Sequence, residues 1–228
     1  MPRLARTIAV LVGVLVLLAR AYERWWFPRD PERRIDQSAR IVAPADGRVV
    51  YVAPVEEGVV PIAVKERWDI PLGEIVKGDE RPPAGVLIGI FMSPFDVHYQ
   101  RSPIAGVVGE VSYHPTSFNH VMGSMFLRNL VSMEPLHAKS PHIYNNERNV
   151  IRIDGEELTA FVVQIADQQV NKIDCYVTQG DRVEMGDRIG MIRRGSQVDV
   201  FVVGVRVEDF AGLDVGTKVN AGETVLLR

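Results

Sequence analysis

The sequence predicts a mostly β domain of the barrel-sandwich hybrid class, with few short helices and a membrane-associated apolar helix at the N-terminus. Three observations favour this class. From residue 41 onward, short Val- and Ile-rich runs alternate with Gly, Pro and Asp, the pattern of strands joined by tight turns. Two segments, 180–189 and 216–225, repeat one glycine pattern. The long apolar run of the chain lies within residues 1–27.

Residues 1–27 are expected to form a membrane anchor. The run from Leu4 to Ala19 is apolar apart from Arg6, and the aromatic cluster Trp25–Phe27 follows it. Spanning a bilayer takes about 20 apolar residues, so this run is slightly short. A cleaved secretory signal, a retained anchor and a helix lying in the interface are all open. The aromatic cluster favours the last two, because a polar start normally follows a signal peptide, and we expect the protein at the cell membrane, anchored or peripheral.

Residues 28–40 form a polar, proline-bounded linker, and residues 41–228 form the predicted domain. Its expected strands are short Val- or Ile-rich runs. They are Ile41–Val42, Arg48–Val52, Val60–Val64, Val86–Phe91, Gly106–Tyr113, Asn149–Ile153, Leu158–Ile165, Ile173–Val177, Arg188–Ile192, Val198–Val207 and Thr224–Leu227. One helix is expected, at Val121–Val131.

Two internal similarities predict how the strands turn. Pro44–Val49 matches Pro103–Val108, since each has a proline, a glycine three residues on and then a β-branched strand. Gly180–Ile189 matches Gly216–Val225. Paired glycines suit tight corners where a strand crosses between layers, and the pattern resembles the hammerhead corners of lipoyl and biotinyl carrier domains. A carrier would present a lysine at a hairpin tip, and neither copy has one in the expected context.

The composition limits the function. With 228 residues, 46% hydrophobic and 24% charged, the chain can bury a sizeable core, and a net charge of −3 argues against a nucleic-acid partner. The single Cys175 excludes an internal disulfide and a multi-cysteine zinc site. Its neighbours Ile173 and Tyr176 suggest a strand, so we predict that Cys175 is a core residue. The histidine spacings match no standard metal site, so no metal is expected.

Three short segments carry candidate chemistry, and each is ambiguous by itself. Ser93–Pro103 places His98 directly after an apolar strand, where a half-buried histidine bonded to backbone is an equally good interpretation. Asp46 precedes a glycine, and Asp-Gly is a common turn former. Gly195-Ser196 is a dipeptide that is frequent in turns. Their significance comes from their order along the chain.

Taken together, six segments resemble the short form of the phosphatidylserine decarboxylase family. They span nearly the whole soluble part of the chain in the expected order. The segments are Phe27–Arg33, Pro44–Val49, Ser93–His98, Tyr113–Pro115, Asn146–Asn149 and Gly190–Val202.

The resemblance implies a proenzyme that cuts itself between Gly195 and Ser196, giving a β chain of residues 1–195 and an α chain of residues 196–228. It assigns catalysis to Ser196, His98 and Asp46, a Ser-His-Asp arrangement. Ser196 would become an N-terminal pyruvoyl group (pyruvic acid), the only cofactor, which forms a Schiff base with the substrate amine and accepts electrons as CO2 leaves. His98 would return a proton to the substrate carbon. Independently, a glycine before the scissile bond tolerates strained backbone.

Two positions depart from the family pattern. Long-form relatives carry two histidines in the loop that matches Ser93–Pro103, and here His98 lies on the first and Arg101 on the second. Arginine stays protonated, so either His98 serves both self-cleavage and turnover or another histidine such as His114 supplies one step. Arg194 stands where an aromatic residue is frequent, and it either pairs with a substrate carboxylate or phosphate or points to solvent.

The implied function is decarboxylation of phosphatidylserine to phosphatidylethanolamine, or of the archaeal ether-lipid equivalent, in phospholipid biosynthesis. The implied partners are phosphatidylserine in the bilayer, the protein's own β and α chains after cleavage, and a second copy in a homo-oligomer. One alternative is a noncatalytic, membrane-associated barrel-sandwich binding module. Another is a peptidase that uses Ser196 and His98, which the strand-like surroundings of the serine disfavour because no nucleophile elbow is evident.

Overall fold

In the computed structural model, the described residues are 2–56, 59–61, 69–76, 83–122, 142–168, 173–193 and 196–228. They belong to two compact units, Met1–Glu32 and Arg33–Arg228. The second unit is mostly β with a few short helices, and the first contains a long apolar helix. The predicted fold class is therefore confirmed.

The N-terminal unit is a single long helix. Helix α1 (Pro2–Ala21) continues through a π-helical turn at Tyr22–Trp26. Its apolar stretch Leu4–Trp26 has 23 residues and is long and apolar enough to cross a membrane, a test that a signal sequence also passes. At 1.5 Å per residue this stretch measures about 35 Å, against about 30 Å of bilayer hydrocarbon. The helix is longer than the apolar run because it includes the flanking arginines and tryptophans.

The globular unit is built from short strands with three brief helical segments. The strands are β1 (Ile41–Val42), β2 (Gly47–Val55), β3 (Val59–Pro61), β4 (Asp69–Pro71), β5 (Gly85–Met92), β6 (Tyr99–Arg101), β7 (Gly106–His114), β8 (Arg148–Asp154), β9 (Thr159–Ala166), β10 (Ile173–Cys175), β11 (Arg182–Val183), β12 (Arg188–Ile192), β13 (Ser196–Val203), β14 (Lys218–Val219) and β15 (Val225–Leu227). The helical segments are α2 (Leu72–Val76), α3 (His142–Asn145) and a 3₁₀ turn at Val207–Phe210.

Eight of these strands form one antiparallel sheet in the order β11-β7-β8-β9-β13-β5-β2-β14. Strand β13 lies inside it and pairs with β5 from Ser196 to Val203 and with β9 from Ser196 to Val202. Smaller sheets are β1-β15, β10-β12-β6 and β3-β4. Strand β13 is thus held on both edges over almost its full length.

The eight-stranded sheet has a core on each face. Its front face carries Val198, Val200 and Val202 and packs against β1, β15, β10 and β12. Its back face carries Phe201 and packs against α2 and α3. Because side chains alternate between the faces of a strand, every second residue of β13 enters each core, and the whole strand except its last residue is buried.

The two repeats predicted from the sequence form equivalent corners at the two ends of this sheet. Gly47 pairs with Val219 at one end, and Gly106 pairs with Val183 at the other. The repeat glycines adopt positive φ, which favours glycine: Gly180 93°, Gly186 89°, Gly216 92° and Gly222 77°. Matching backbone bonds accompany them, Gly222 N–H to the Ala43 carbonyl and Gly186 N–H to the Ser102 carbonyl.

Most predicted strands are confirmed, and the differences are local. The strand expected at Val198–Val207 ends at Val203, because Gly204 at φ 76° turns the chain. Four very short strands, β4, β6, β11 and β14, were not predicted. Residues 62–64 of one expected strand and residues 123–131 of the expected helix lie outside the described residues.

The prediction that Cys175 is a core residue is wrong. Its side chain is exposed, and its Sγ lies 3.3 Å from the Val177 carbonyl. Cys175 ends β10, which is the edge strand of the small three-stranded sheet, so neighbouring strands do not cover it as they cover β13.

Candidate active site

Ser196 is the first residue of β13, and its side chain is fully buried on the front face. In register it faces Met92 of β5 and Ala166 of β9. Its Oγ donates a hydrogen bond to the Met92 Sδ at 3.3 Å. A thioether is a weak acceptor, so this contact positions the hydroxyl without holding its proton strongly.

His98 follows β5 after a tight turn. Asp96 stabilises this turn, since its Oδ2 accepts hydrogen bonds from Ser93 N–H at 2.8 Å and Ser93 Oγ at 2.7 Å. The His98 side chain is fully buried, and its Nδ1 lies 2.9 Å from the Asp96 carbonyl oxygen. A carbonyl only accepts, so Nδ1 carries the hydrogen and Nε2 of the neutral ring has the lone pair. His98 is therefore a buried imidazole with Nε2 as its basic nitrogen.

Backbone contacts place His98 close to the predicted scissile segment. The His98 carbonyl accepts from Ile192 N–H at 3.4 Å and from Gln100 Nε2 at 2.9 Å. Ile192 ends β12, and Ser196 begins β13 four residues later. Four Cα steps span at most about 15 Å, so the Cα of the serine lies within about 15 Å of the Cα of Ile192. Gly195 and Arg194 lie outside the described residues, and their roles stay predictions.

A chain of buried amides lies beside this pair on the front face. Gln164 Nε2 donates to Gln100 Oε1 at 2.8 Å, and Asn149 Nδ2 donates to Gln164 Oε1 at 2.8 Å. Gln100 Nε2 also lies 3.6 Å from the Met92 Sδ. Gly190 leaves room for this chain, since an added Cβ would approach Gln164 Nε2 to 2.4 Å. Sequence reasoning missed these amides, although Gln164 interrupts the apolar run of β9.

Asp46 lies at a corner of the sheet, just before β2. Its carboxylate accepts two hydrogen bonds from Arg33 NH2, at 2.9 and 3.0 Å, and one from Ala221 N–H at 2.7 Å. Arg33 also reaches Glu223 at 3.3 Å. These contacts tie residue 33 to the C-terminal strands. An aspartate that orients His98 would accept a hydrogen bond from its ring, but the described bond of His98 Nδ1 goes to the Asp96 carbonyl. The orienting role of Asp46 therefore stays a prediction.

The two accessory candidates lie elsewhere in the sheet system. Arg101 is on β6, where its NH1 donates to the Gly186 carbonyl at 2.7 Å, and it shares a cavity with Arg182 and Arg188. His114 ends β7, with its Nε2 3.1 Å from Ser112 Oγ. Strand β7 is three strands from β13, or about 14 Å along the sheet at about 4.8 Å per strand. The backbone contact of His98 with Ile192 links it to the segment that leads into β13.

A second polar group lies on the back face, directly behind Ser196. Gln197 Nε2 donates to Tyr51 Oη at 3.0 Å and to Asp199 Oδ1 at 2.7 Å, and Tyr51 Oη donates to Asp199 Oδ2 at 2.6 Å. Burial raises the pKa of Asp199 to about 6, although the hydrogen bonds that Asp199 accepts from Tyr51 and Gln197 and the positive charge of Arg148 oppose the rise. Burial, together with the Asp199 carboxylate, raises the pKa of Tyr51 well above its ordinary value.

This back-face group was also missed by sequence reasoning. A signal for it exists, because Gln197 and Asp199 are two polar residues spaced by two in an otherwise apolar strand. Among the described residues, no group of three or more His, Cys, Asp or Glu side chains could hold a metal ion.

Comparisons with known proteins identify the family of the chain. The family model described as phosphatidylserine decarboxylase matches residues 24–227. This range includes the loop of His98 and the start of β13, so the similarity covers the candidate site and its surrounding sheet.

Individual relatives are similar over most of their length. A phosphatidylserine decarboxylase proenzyme of Chlorobium limicola is 34% identical over 221 residues, covering 96% of this chain and 84% of the relative. One of Streptomyces avermitilis is 36% identical over 200 residues, covering 87% and 71%. A protein of Methanothermobacter thermautotrophicus named "Putative archaetidylserine decarboxylase proenzyme" is 36% identical over 220 residues, covering 95% and 85%.

Proposed function

The chain belongs to the phosphatidylserine decarboxylase family, and we propose that it removes the serine carboxylate of phosphatidylserine as CO2 to leave phosphatidylethanolamine. We further propose that it first cuts itself between Gly195 and Ser196. The observation that carries both proposals is a buried serine at the start of β13, four residues after Ile192, whose N–H bonds the carbonyl of the buried His98.

The self-cleavage step uses groups that the chain itself supplies. Ser196 Oγ attacks the Gly195 carbonyl while His98 Nε2 accepts the hydroxyl proton, and the peptide C–N bond breaks as the ester forms. His98 returns that proton to the new amine. A base then takes the Ser196 Cα proton as the Cβ–O bond breaks, so that the Gly195 carboxylate leaves and residue 196 becomes dehydroalanine. Its enamine takes up a proton at Cβ to give an imine, and water hydrolyses the imine, releasing ammonia. Residue 196 is left with a ketone carbon, which is a pyruvoyl group.

The start of β13 is a suitable place for such a group. Residue 196 is buried between Met92 of β5 and Ala166 of β9. A pyruvoyl carbonyl there supplies an electron sink for the electrons released when CO2 leaves. His98 then has a second role, since a protonated imidazole is a general acid and can deliver a proton from Nε2 to the substrate carbon.

The fold explains how the enzyme stays intact after the cut. The predicted α chain, residues 196–228, contains β13, β14 and β15. These strands pair with β5 and β9, with β2 and with β1, all of which lie in the predicted β chain. Cleavage therefore leaves two chains that share one sheet and one core, and we expect them to copurify.

The N-terminal helix supports a membrane location for this reaction. The substrate is a bilayer lipid, and a retained Leu4–Trp26 helix, long enough to span the hydrocarbon, would keep the enzyme at that surface. The relatives bear names for two lipid classes, phosphatidylserine and archaetidylserine. Both present the same serine head group, so the ester lipid is our first choice and the ether lipid is the matched comparison substrate.

Intact-mass spectrometry of the purified full-length chain tests the proposal. We expect two fragments divided after Gly195, with the smaller one lighter by one ammonia than a plain hydrolysis product. Ser196→Ala is the matched control and should give one uncleaved mass. The purified enzyme should also release CO2 from phosphatidylserine in detergent micelles, with the ether lipid assayed beside it. A single uncleaved mass from folded wild-type protein would favour the noncatalytic binding module instead.

A further inference from the structure

The back-face cluster comprises Tyr51, His142, Arg148, Gln197 and Asp199. All five side chains are buried, and they come from β2, α3, β8 and β13. They lie on the opposite face of the sheet from Ser196, so they do not contact a substrate bound at the front. Burying a polar group costs folding free energy unless the group is hydrogen-bonded. Five such side chains are buried on the face of β13 opposite the proposed scissile serine.

Gln197 is the centre of the cluster and is fully satisfied. Its Nε2 has two hydrogens, which go to Tyr51 Oη at 3.0 Å and Asp199 Oδ1 at 2.7 Å. Its Oε1 lies 3.1 Å from His142 Nε2, which therefore donates to it. An amide with both donors and its acceptor engaged has one orientation. The side chain of the residue after Ser196 is thus held at three points.

The partners of Gln197 are themselves held in place. The Tyr51 ring lies across Gly89, where an added Cβ would meet ring atoms at 2.4 to 2.8 Å, and this passage lets Tyr51 Oη reach Asp199 at 2.6 Å. Arg148 donates to the carbonyls of Ile75 at 3.1 Å and Ile143 at 2.8 Å. The guanidinium therefore joins α2 and α3 to the sheet beneath the Asp199 carboxylate.

Strand geometry transmits this constraint to the front face. Residues 196 and 197 share one peptide plane, and their side chains point to opposite faces. Fixing the Gln197 side chain fixes that plane, and with it the direction of the bonds at the Ser196 Cα. Once the bond before Ser196 is cut, residue 196 has no covalent neighbour on its N-terminal side, so the anchor at residue 197 becomes more important.

From this geometry we infer that the back-face cluster positions the scissile serine: Gln197, held by Tyr51, Asp199 and His142, orients residue 196 before the cut and holds the new chain end after it. The inference rests on the proposed self-cleavage. It makes Gln197 a positioning residue that contacts neither substrate nor reacting atoms.

The test compares two variants of β13 in the full-length protein. Gln197→Met keeps the length of the side chain and removes its hydrogen bonds. Phe201→Leu is the matched control, because it weakens the same back core on the same strand, five residues from Ser196. Melting temperature is measured for each in the uncleavable Ser196→Ala background. The rate of α-chain appearance is measured with Ser196 intact.

We expect Gln197→Met to slow cleavage at least about 10-fold more than Phe201→Leu at a similar fall in melting temperature, since a misplacement of about 1 Å can cost about 100-fold. In the fraction that cleaves, kcat should fall while KM stays the same. If Gln197→Met does not fold, Tyr51→Phe replaces it in the test, because it removes only one hydroxyl. We expect Tyr51→Phe to slow cleavage as well, but by a smaller factor.

Equal slowing by the two variants, or a normal cleavage rate in Gln197→Met or Tyr51→Phe, would overturn the positioning role while the proposed function stands. A wild-type chain that is never cleaved would overturn both. The two failures are therefore distinguishable in one set of samples.

Discussion

The front and back faces of β13 carry polar groups that are satisfied in different ways. On the front, the Ser196 hydroxyl has a weak thioether acceptor at 3.3 Å, and His98 presents a basic Nε2. On the back, Gln197 engages both donors and its acceptor within 3.1 Å. Reactive groups must be able to exchange protons, whereas supporting groups must not move. Under the proposed mechanism, β13 separates these two requirements because its side chains alternate between the two faces.

The largest expected effect comes from breaking the front face. His98→Ala removes the proposed base, and we expect self-cleavage to slow by about 100- to 10,000-fold, the usual contribution of general acid–base catalysis. His114→Ala is the matched control, because β7 is three strands from β13. Both rates can be followed by the appearance of the α chain on gels. Normal processing in His98→Ala, or a comparable loss in His114→Ala, would contradict the assignment.

The next largest effect concerns Asp46, which lies at a corner of the sheet, just before β2, and belongs neither to the front-face polar residues nor to the back-face cluster. Asp46→Ala leaves Arg33 with Glu223 at 3.3 Å as its described partner, so we expect a loss smaller than the about 3–5 kcal/mol that leaving an unpaired buried charge costs. The double variant Asp46→Ala/Arg33→Met should recover much of this unfolding free energy, measured by urea denaturation. We expect cleavage to recover with it, since the described contacts of Asp46 are structural. Recovery of stability without recovery of cleavage would establish the orienting role that the family resemblance implies.

The smallest expected effect is a pH dependence of the unfolding free energy that comes from Asp199 on the back face. The pKa of Asp199 is about 6 in the folded protein against an ordinary value of 3.8, so the folded state binds this proton more strongly than the unfolded state does. The protonated Asp199 therefore adds to the free energy of unfolding. This contribution is complete below about pH 3.8 and is lost as the pH rises through about 6, a total change of about 3 kcal/mol. Above pH 6 the ionised carboxylate remains buried beside Arg148.

Asp199→Asn cannot titrate, so it isolates this contribution. Urea unfolding of Ser196→Ala and of Ser196→Ala/Asp199→Asn between pH 4 and 8 should show their stability difference changing by about 3 kcal/mol across the pH 4–6 window, with the carboxylate form losing stability as pH rises. A difference that stays constant from pH 4 to 8 would mean that Asp199 does not take up its proton in that range.

Much of the fold could be predicted because it depends on local preferences. Runs such as Val86–Phe91 and Arg188–Ile192 became strands with nearly the expected ends. The repeated glycines predicted equivalent corners, since positive φ at Gly186 and Gly222 is costly for other residues. Very short strands such as β11 and β14 were missed, because two residues carry no periodicity and pair only when a corner brings them to a sheet edge.

The candidate site was predicted in part. Ser196 and His98 were named from ordered motifs, and the structure buries both side chains, with the His98 carbonyl bonded to Ile192, four residues before the serine. The Tyr51–Gln197–Asp199 group was not predicted, because Tyr51 lies 148 residues before Asp199 and meets it only through the register of β2, β5 and β13. The sequence by itself thus determined the longer strands and the corners and named the candidate reactive residues, which follow from backbone preference and residue chemistry. Only the tertiary structure decided which polar groups meet, because contacts across a sheet depend on strand order and register that no local pattern encodes.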